Sequence, residues 1–135
     1  MDKLTVQTTI NAAPDAVWAG YTEPAQIMEW NFASPDWHCP HSEVDLRVGG
    51  RMVSKMAAKD GSFAFDFGAT FTEIAPERLL AIRLDDGREA VTAFEPVAGG
   101  TRVTTRFEPE TQSPPAMQQM GWQAILENFR RHMEA

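Results

Sequence analysis

The chain has 135 residues, a formal net charge of -7 and a single cysteine, Cys39. That length fits one domain, residues 1–135, with a core that needs no staples, and a lone cysteine excludes an internal disulfide. Lys and Arg lie scattered beside acids, as in "DDGRE" and "NFRRHME", which argues against nucleic acid or an anionic membrane as the main partner.

No apolar run reaches the ~20 residues that cross a bilayer, and "MDKLTVQTTI" has no signal-peptide pattern, so membrane insertion is not expected. Together with the unpaired cysteine, this leads to an expectation of a soluble, cytoplasmic protein.

In chain order, "KLTVQTTI" alternates Leu4, Val6, Thr8 and Ile10 against Thr5, Gln7 and Thr9, the period of a strand with one buried face. "APDAVWAGYT" follows with Pro14 in a tolerant first turn and Ala13, Val17, Trp18 and Tyr21 at helical spacing. Thr22 is a candidate cap for a second short helix, "EPAQIMEW", with Ile27, Met28 and Trp30 on its apolar side.

The segment "WNFASPDWHCPHSEVDLRVGG" holds two tryptophans, two histidines and Cys39, and its prolines and polar residues read as a loop. After it, the turn sequences "KDG", "APE", "DDG" and "AGG" punctuate five strands: Gly50 to Ala58, Ser62 to Ile74, Arg78 to Leu84, Glu89 to Pro96 and Thr101 to Glu108. An antiparallel meander is expected. The last piece, "SPPAMQQMGWQAILENFRRHMEA", starts from Ser113 as an N-cap with Pro114 and Pro115 in the first turn. Its apolar arc of Met117, Met120, Gly121, Trp122, Ala124, Ile125, Leu126, Phe129 and Met133 is wider than a surface helix needs. Such an arc suits a helix lying in the hollow of a curved sheet.

This order, with "INAAPDAVWAGYTEPAQIMEW", "DLRVGGRM", "KDGSFAFDFGATFTEIAPERLL" and "GWQAILENF", resembles the START-like (SRPBCC) helix-grip superfamily. Within it the chain is similar to the activator of heat-shock-protein ATPase homologues (AHSA1-like), also grouped with polyketide-cyclase-like proteins. The resemblance spans nearly the whole chain. It implies an α+β helix-grip fold, a curved antiparallel sheet around a long C-terminal helix with two short helices after the first strand. It also implies a cavity between sheet and helix, commonly used for an apolar small molecule. Members of the superfamily bind ligands, catalyse reactions or assist chaperones on one scaffold, so the fold alone does not name an activity.

The residues independently permit a cavity for an apolar or aromatic ligand. Gly121 and Ala124 remove bulk on the helix, and Met52, Met56, Met117 and Met120 offer adaptable walls. Trp30, Trp37 and Trp122 could line one end, since an indole joins apolar area to one N–H donor. Gln118, Asn128 and His132 are the next polar candidates on the helix.

The residues in and around "WHCPH" are of types that serve three chemistries. His38, Cys39 and His41 are metal-ligand types, but no second pair with zinc-site spacing exists, so no metal and no cofactor are expected. Cys39 as a nucleophile needs a base, and His41 is better placed than the adjacent His38. An acid/base pair of Asp66 and His38 would make an enzyme of cyclase or dehydratase type. It depends on "SFAFDFGATF": if Phe63, Phe65 and Phe67 face the core, Asp66 is a solvated carboxylate, and if the smaller set faces the hollow, Asp66 enters the cavity. A pocket rim or packed loop remains the plainer reading of "WHCPH". Asp45 and Arg47 in "DLRVGG" read as a solvated pair before a bend. A chaperone-interaction module follows from the family resemblance alone, and exposed edge strands permit a homodimer.

Overall fold

The computed structural model describes residues 2–135. Its elements are β1 (Leu4–Ile10), α1 (Pro14–Thr22), α2 (Pro24–Trp30), β2 (Trp37–Val44), β3 (Arg51–Ala58), β4 (Ala64–Ala75), β5 (Leu79–Leu84), β6 (Glu89–Val97), β7 (Gly100–Phe107) and α3 (Pro115–Glu134). All strands form one sheet in the order β1-β7-β6-β5-β4-β3-β2, every pair antiparallel. The meander thus runs back from β7 to the edge strand β2, and the first strand closes the far edge. This is the α+β helix-grip fold, a curled half-barrel around α3.

Turn chemistry explains the hairpins. Gly61 and Gly87 adopt φ of 80° and 93°, where a Cβ would be strained. The "APE" turn has no glycine, and Glu77 itself takes a positive φ of 65°.

The segment expected as a loop is instead the strand β2. Pro40 would bar a central strand, but β2 is an edge strand paired among the described residues with β3 alone, so a missing N–H leaves no broken ladder bond on a second side. The pairing also shifts register between His38 and His41, a bulge that takes up the proline.

Two expected caps also differ. Thr22 ends α1, its hydroxyl donating to the Trp18 carbonyl at 2.8 Å, and Glu23 stands at the N-cap of α2 with no side-chain cap. Pro114, with ψ of 137°, is the N-cap of α3. A residue before proline is pushed to extended ψ, so the helix begins at Pro115 and Ser113 lies one position too early.

Phe107, Phe129, Ile10, Val17 and Val103 are fully buried at the centre of the core, with Trp30, Phe71, Phe94 and Leu126 around them. Tyr21, Trp30 and Phe129 meet ring to ring at 4.7–5.3 Å, tying α1 and α2 to α3. Asn128 adds a polar latch, donating from Nδ2 to the Trp30 carbonyl at 2.9 Å. On its other flank α3 covers the free edge of β1: Gln123 bonds both the N–H and the carbonyl of Gln7, at 3.3 and 3.0 Å, and Gln119 reaches the Thr5 carbonyl at 2.8 Å. These carboxamides occupy main-chain groups that an open edge would offer to another strand. Among the described residues no helix is long and apolar enough to cross a membrane.

Candidate ligand-binding site

Side-chain alternation decides which residues face α3. Directly paired residues in an antiparallel ladder point to the same side, so the pairs Met52 with Ala69 and Met56 with Phe65 fix a common concave face. Phe65, Phe67 and Phe71 of β4 line this face, as do Leu80 and Ile82 of β5. Trp122, Ile125 and Leu126 of α3 close it from above, with Ile27 and Trp30 of α2 at one end. Between them lies a cavity of ≈ 250 Å³.

The walls are hydrocarbon, aromatic ring and thioether, apart from Tyr21, Thr22, Asn31, Thr92 and Thr105, and no lining residue carries a formal charge. Three of those five form one polar cluster. The Tyr21 hydroxyl lies 3.3 Å from Thr92 Oγ1, which lies 2.8 Å from Thr105 Oγ1. Thr92 and Thr105 are buried, and Tyr21 is part-buried and lines the cavity with them. Burial pushes the Tyr21 phenol above its ordinary pKa, outweighing the opposing effect of the nearby Thr92 and Thr105 hydroxyls, so it stays a neutral hydroxyl.

Of the residues expected at the site, Trp30, Met52, Met56 and Trp122 line this cavity. Trp122 stacks on Phe107 with centroids 3.9 Å apart and planes at 6°, which sets its indole against the floor of the sheet. Trp37 stands outside the lining, packed at 6.0 and 6.1 Å from Phe63 and Phe65. Since Phe65 lines the cavity and is 45% exposed, this aromatic group stands at its rim.

The others are placed elsewhere. Asp66 pairs with Lys55 on the convex face and is exposed, because Phe65 and Phe67 on either side of it take the concave face. His38 pairs with Ala57, on the same side as Lys55, and does not line the cavity. The proposed acid/base pair therefore has no enclosed space to act in. Met117 and Met120 point outward, 64% and 73% exposed. Gly121 is not among the residues that line the cavity, so this glycine does not open it. The inward stripe of α3 is centred on Trp122, Ile125, Leu126 and Phe129, and the broad apolar arc overstated its width. Gln118 ties the chain leading into α3, its Oε1 accepting from the Glu110 N–H at 2.8 Å and its Nε2 donating to the Ser113 carbonyl at 2.7 Å. His132 meets Gln26 at 3.1 Å across the α2 and α3 contact.

Cys39 is a buried thiol, pushed above its ordinary pKa by that burial, with hydrogen bonding to Ser54 and to the His41 backbone opposing the shift. A protonated thiol is a poor nucleophile. The His41 ring turns instead to Glu43 at 3.0 Å on the surface. Among the described residues, no three His, Cys, Asp or Glu side chains gather as a metal site.

Tyr21, Thr92 and Thr105 were not singled out from the sequence. A signal for two of them exists: Thr92 falls between Ala90 and Phe94, and Thr105 between Val103 and Phe107, each a hydroxyl in a row of buried apolar residues.

The family described as "Activator of Hsp90 ATPase homolog 1-like protein" matches residues 11–134. The chain belongs to this family. An AHSA1-like protein from Aeromonas hydrophila, solved by NMR, is 47% identical, with a TM-score of 0.93 over 98% of this chain and 92% of that one. A protein from Cytophaga hutchinsonii is 42% identical, with a TM-score of 0.84 over 98% and 92% of the two chains. A crystal structure from Nitrosomonas europaea shares the fold at 23% identity, TM-score 0.85, over 98% and 94%. Among proteins of curated function none matches. Family membership thus accounts for the strand order and the gripped α3.

Proposed function

We propose that this chain binds a small apolar or aromatic molecule in the cavity between the concave face of the sheet and α3. The supporting observation is a space of ≈ 250 Å³ walled by Met52, Met56, Phe67, Ile82, Trp122 and Ile125, with no charged group in its lining. An engineered apolar cavity of ~150 Å³ holds benzene, so on that scale this one takes roughly ten heavy atoms. The adaptable Met52 and Met56 walls and the Trp37, Phe63 and Phe65 rim suit a ring or a short chain.

Native mass spectrometry of the protein from its own source, followed by denaturing extraction, tests this reading. An organic molecule near one-to-one supports it and gives the chemical class. A Met56→Trp substitution, which fills the cavity from one wall, is expected to abolish that co-purification. A molecule retained unchanged by the filled variant would place binding elsewhere and refute the proposal.

The enzyme reading with Asp66 and His38 has no geometric support, and Asp66→Asn and His38→Ala are expected to leave ligand retention unchanged. The chaperone reading rests on the family's description.

A further inference from the structure

The hydroxyl cluster at the cavity wall has a proton count that points to one kind of ligand. Tyr21, Thr92 and Thr105 carry three O–H hydrogens, one on each side chain. The two hydrogen bonds between them employ two, and no other side-chain hydrogen bond of these three hydroxyls occurs among the described residues. One hydrogen is left with no protein acceptor, in a wall that also lines the cavity.

The chain can be run in one direction so that every group is used. Thr105 donates to Thr92, Thr92 donates to Tyr21, and the Tyr21 hydroxyl donates its hydrogen into the cavity. The phenol is the most acidic of the three, so it is the best terminal donor, and each upstream bond polarises the next. We propose that Tyr21, backed by Thr92 and Thr105, is the polar recognition element of the cavity. Its ligand is then a neutral molecule with an apolar or aromatic body and one hydrogen-bond acceptor, such as a ketone, aldehyde or ester carbonyl.

Neutrality follows from the rest of the wall. No Lys, Arg or His lines the cavity to pair with a carboxylate, so an anion would exchange its hydration for neutral donors alone, the Tyr21 hydroxyl, the Asn31 carboxamide and the Trp122 indole. A pure hydrocarbon would fit the walls but leave the spare hydrogen unmet, which is costly for a buried donor. This inference rests on the cavity being the binding site, and deepens that reading by naming the ligand class.

Three probes of one shape test it in an NMR titration of the full chain: acetophenone, a neutral acceptor; α-methylstyrene, which has no acceptor; and benzoate, an anionic one. Both neutral probes are expected to shift resonances of cavity residues. Tyr21→Phe keeps the ring contacts with Trp30, Phe94 and Phe129. It is expected to weaken acetophenone roughly five- to tenfold while leaving α-methylstyrene within about twofold. Thr105→Val, which keeps the side-chain shape, weakens acetophenone in the same direction by less. Benzoate binds roughly tenfold or more weaker than acetophenone.

An equal response of both neutral probes to Tyr21→Phe, or benzoate matching acetophenone, overturns the inference and leaves the cavity reading standing. If neither neutral probe binds, the cavity reading falls and this inference with it. Should Tyr21→Phe lose the native spectrum, Thr105→Val and Thr92→Val decide by the same comparison of probes.

Discussion

Trp30→Phe tests how the short helices are held over the cavity. In α1 the Gly20 carbonyl would ordinarily accept from the N–H four residues on, but that residue is Pro24, which has none. The Trp30 indole fills the gap, its Nε1–H donating to the Gly20 carbonyl at 2.9 Å in a buried setting. Phenylalanine keeps one ring against Tyr21 and Phe129 but leaves the carbonyl without a donor. A buried unsatisfied carbonyl costs about 1–3 kcal/mol, and the lost apolar area adds about 1 kcal/mol. The sum is about 2–4 kcal/mol, a fall in Tm of about 10 °C for a chain of this size.

Trp122→Phe is the comparison. Trp122 also lines the cavity, but no hydrogen bond from its indole occurs among the described residues, so only area is lost, about 1 kcal/mol. Urea unfolding followed by far-ultraviolet circular dichroism, which does not depend on tryptophan emission, measures both. Costs for the two variants within about 0.5 kcal/mol of each other would refute the role given to the indole hydrogen bond.

At acid pH the Arg51 and Asp85 pair makes a signed prediction. The hydrogen bonds from Arg51 hold the Asp85 carboxyl below its ordinary 3.8, so its stabilisation is fully present above that value and is lost as pH falls through the lowered folded-state value. Asp85→Asn is expected to flatten the loss of stability in that window, read from urea midpoints, and an unchanged acid slope counts against it. Cys39 is expected to react with a thiol reagent at least about tenfold faster in urea than in the native protein, and equal rates would contradict its burial. Gln123→Ala strips the carboxamide from Gln7, so the Gln7 amide is expected to exchange with solvent faster while the amides of β5 stay protected. Hydrogen exchange read by NMR checks this, and unchanged protection at Gln7 would show that the edge does not depend on α3.

Local chemistry carried most of the fold. The alternation of "KLTVQTTI", the Asp-Gly and Gly-Gly turns and the wide arc of "GWQAILENF" each concern neighbouring residues, and β1, the β3 to β7 meander and α3 stand where those patterns indicate. The resemblance to helix-grip proteins supplied the expectation of a cavity above the sheet. β2 escaped because Pro40 forbids a central strand but not an edge one, and edge position is a property of the assembled sheet.

The site depended still more on tertiary structure. The period of two in "SFAFDFGATF" put Phe65 and Phe67 opposite Asp66 but left open which set faces inward. The curl of the sheet around α3 decided it, sending the phenylalanines to the cavity and Asp66 to water. Trp30, Met52, Met56 and Trp122 came within reach of sequence reasoning because apolar bulk is itself the signal. Tyr21, Thr92 and Thr105 are separated by 71 and 13 residues, so no local pattern could bring their hydroxyls together. Periodicity is local and so was legible in the sequence. A shared enclosed space is made by α1, β6 and β7 meeting, and only the folded chain sets that.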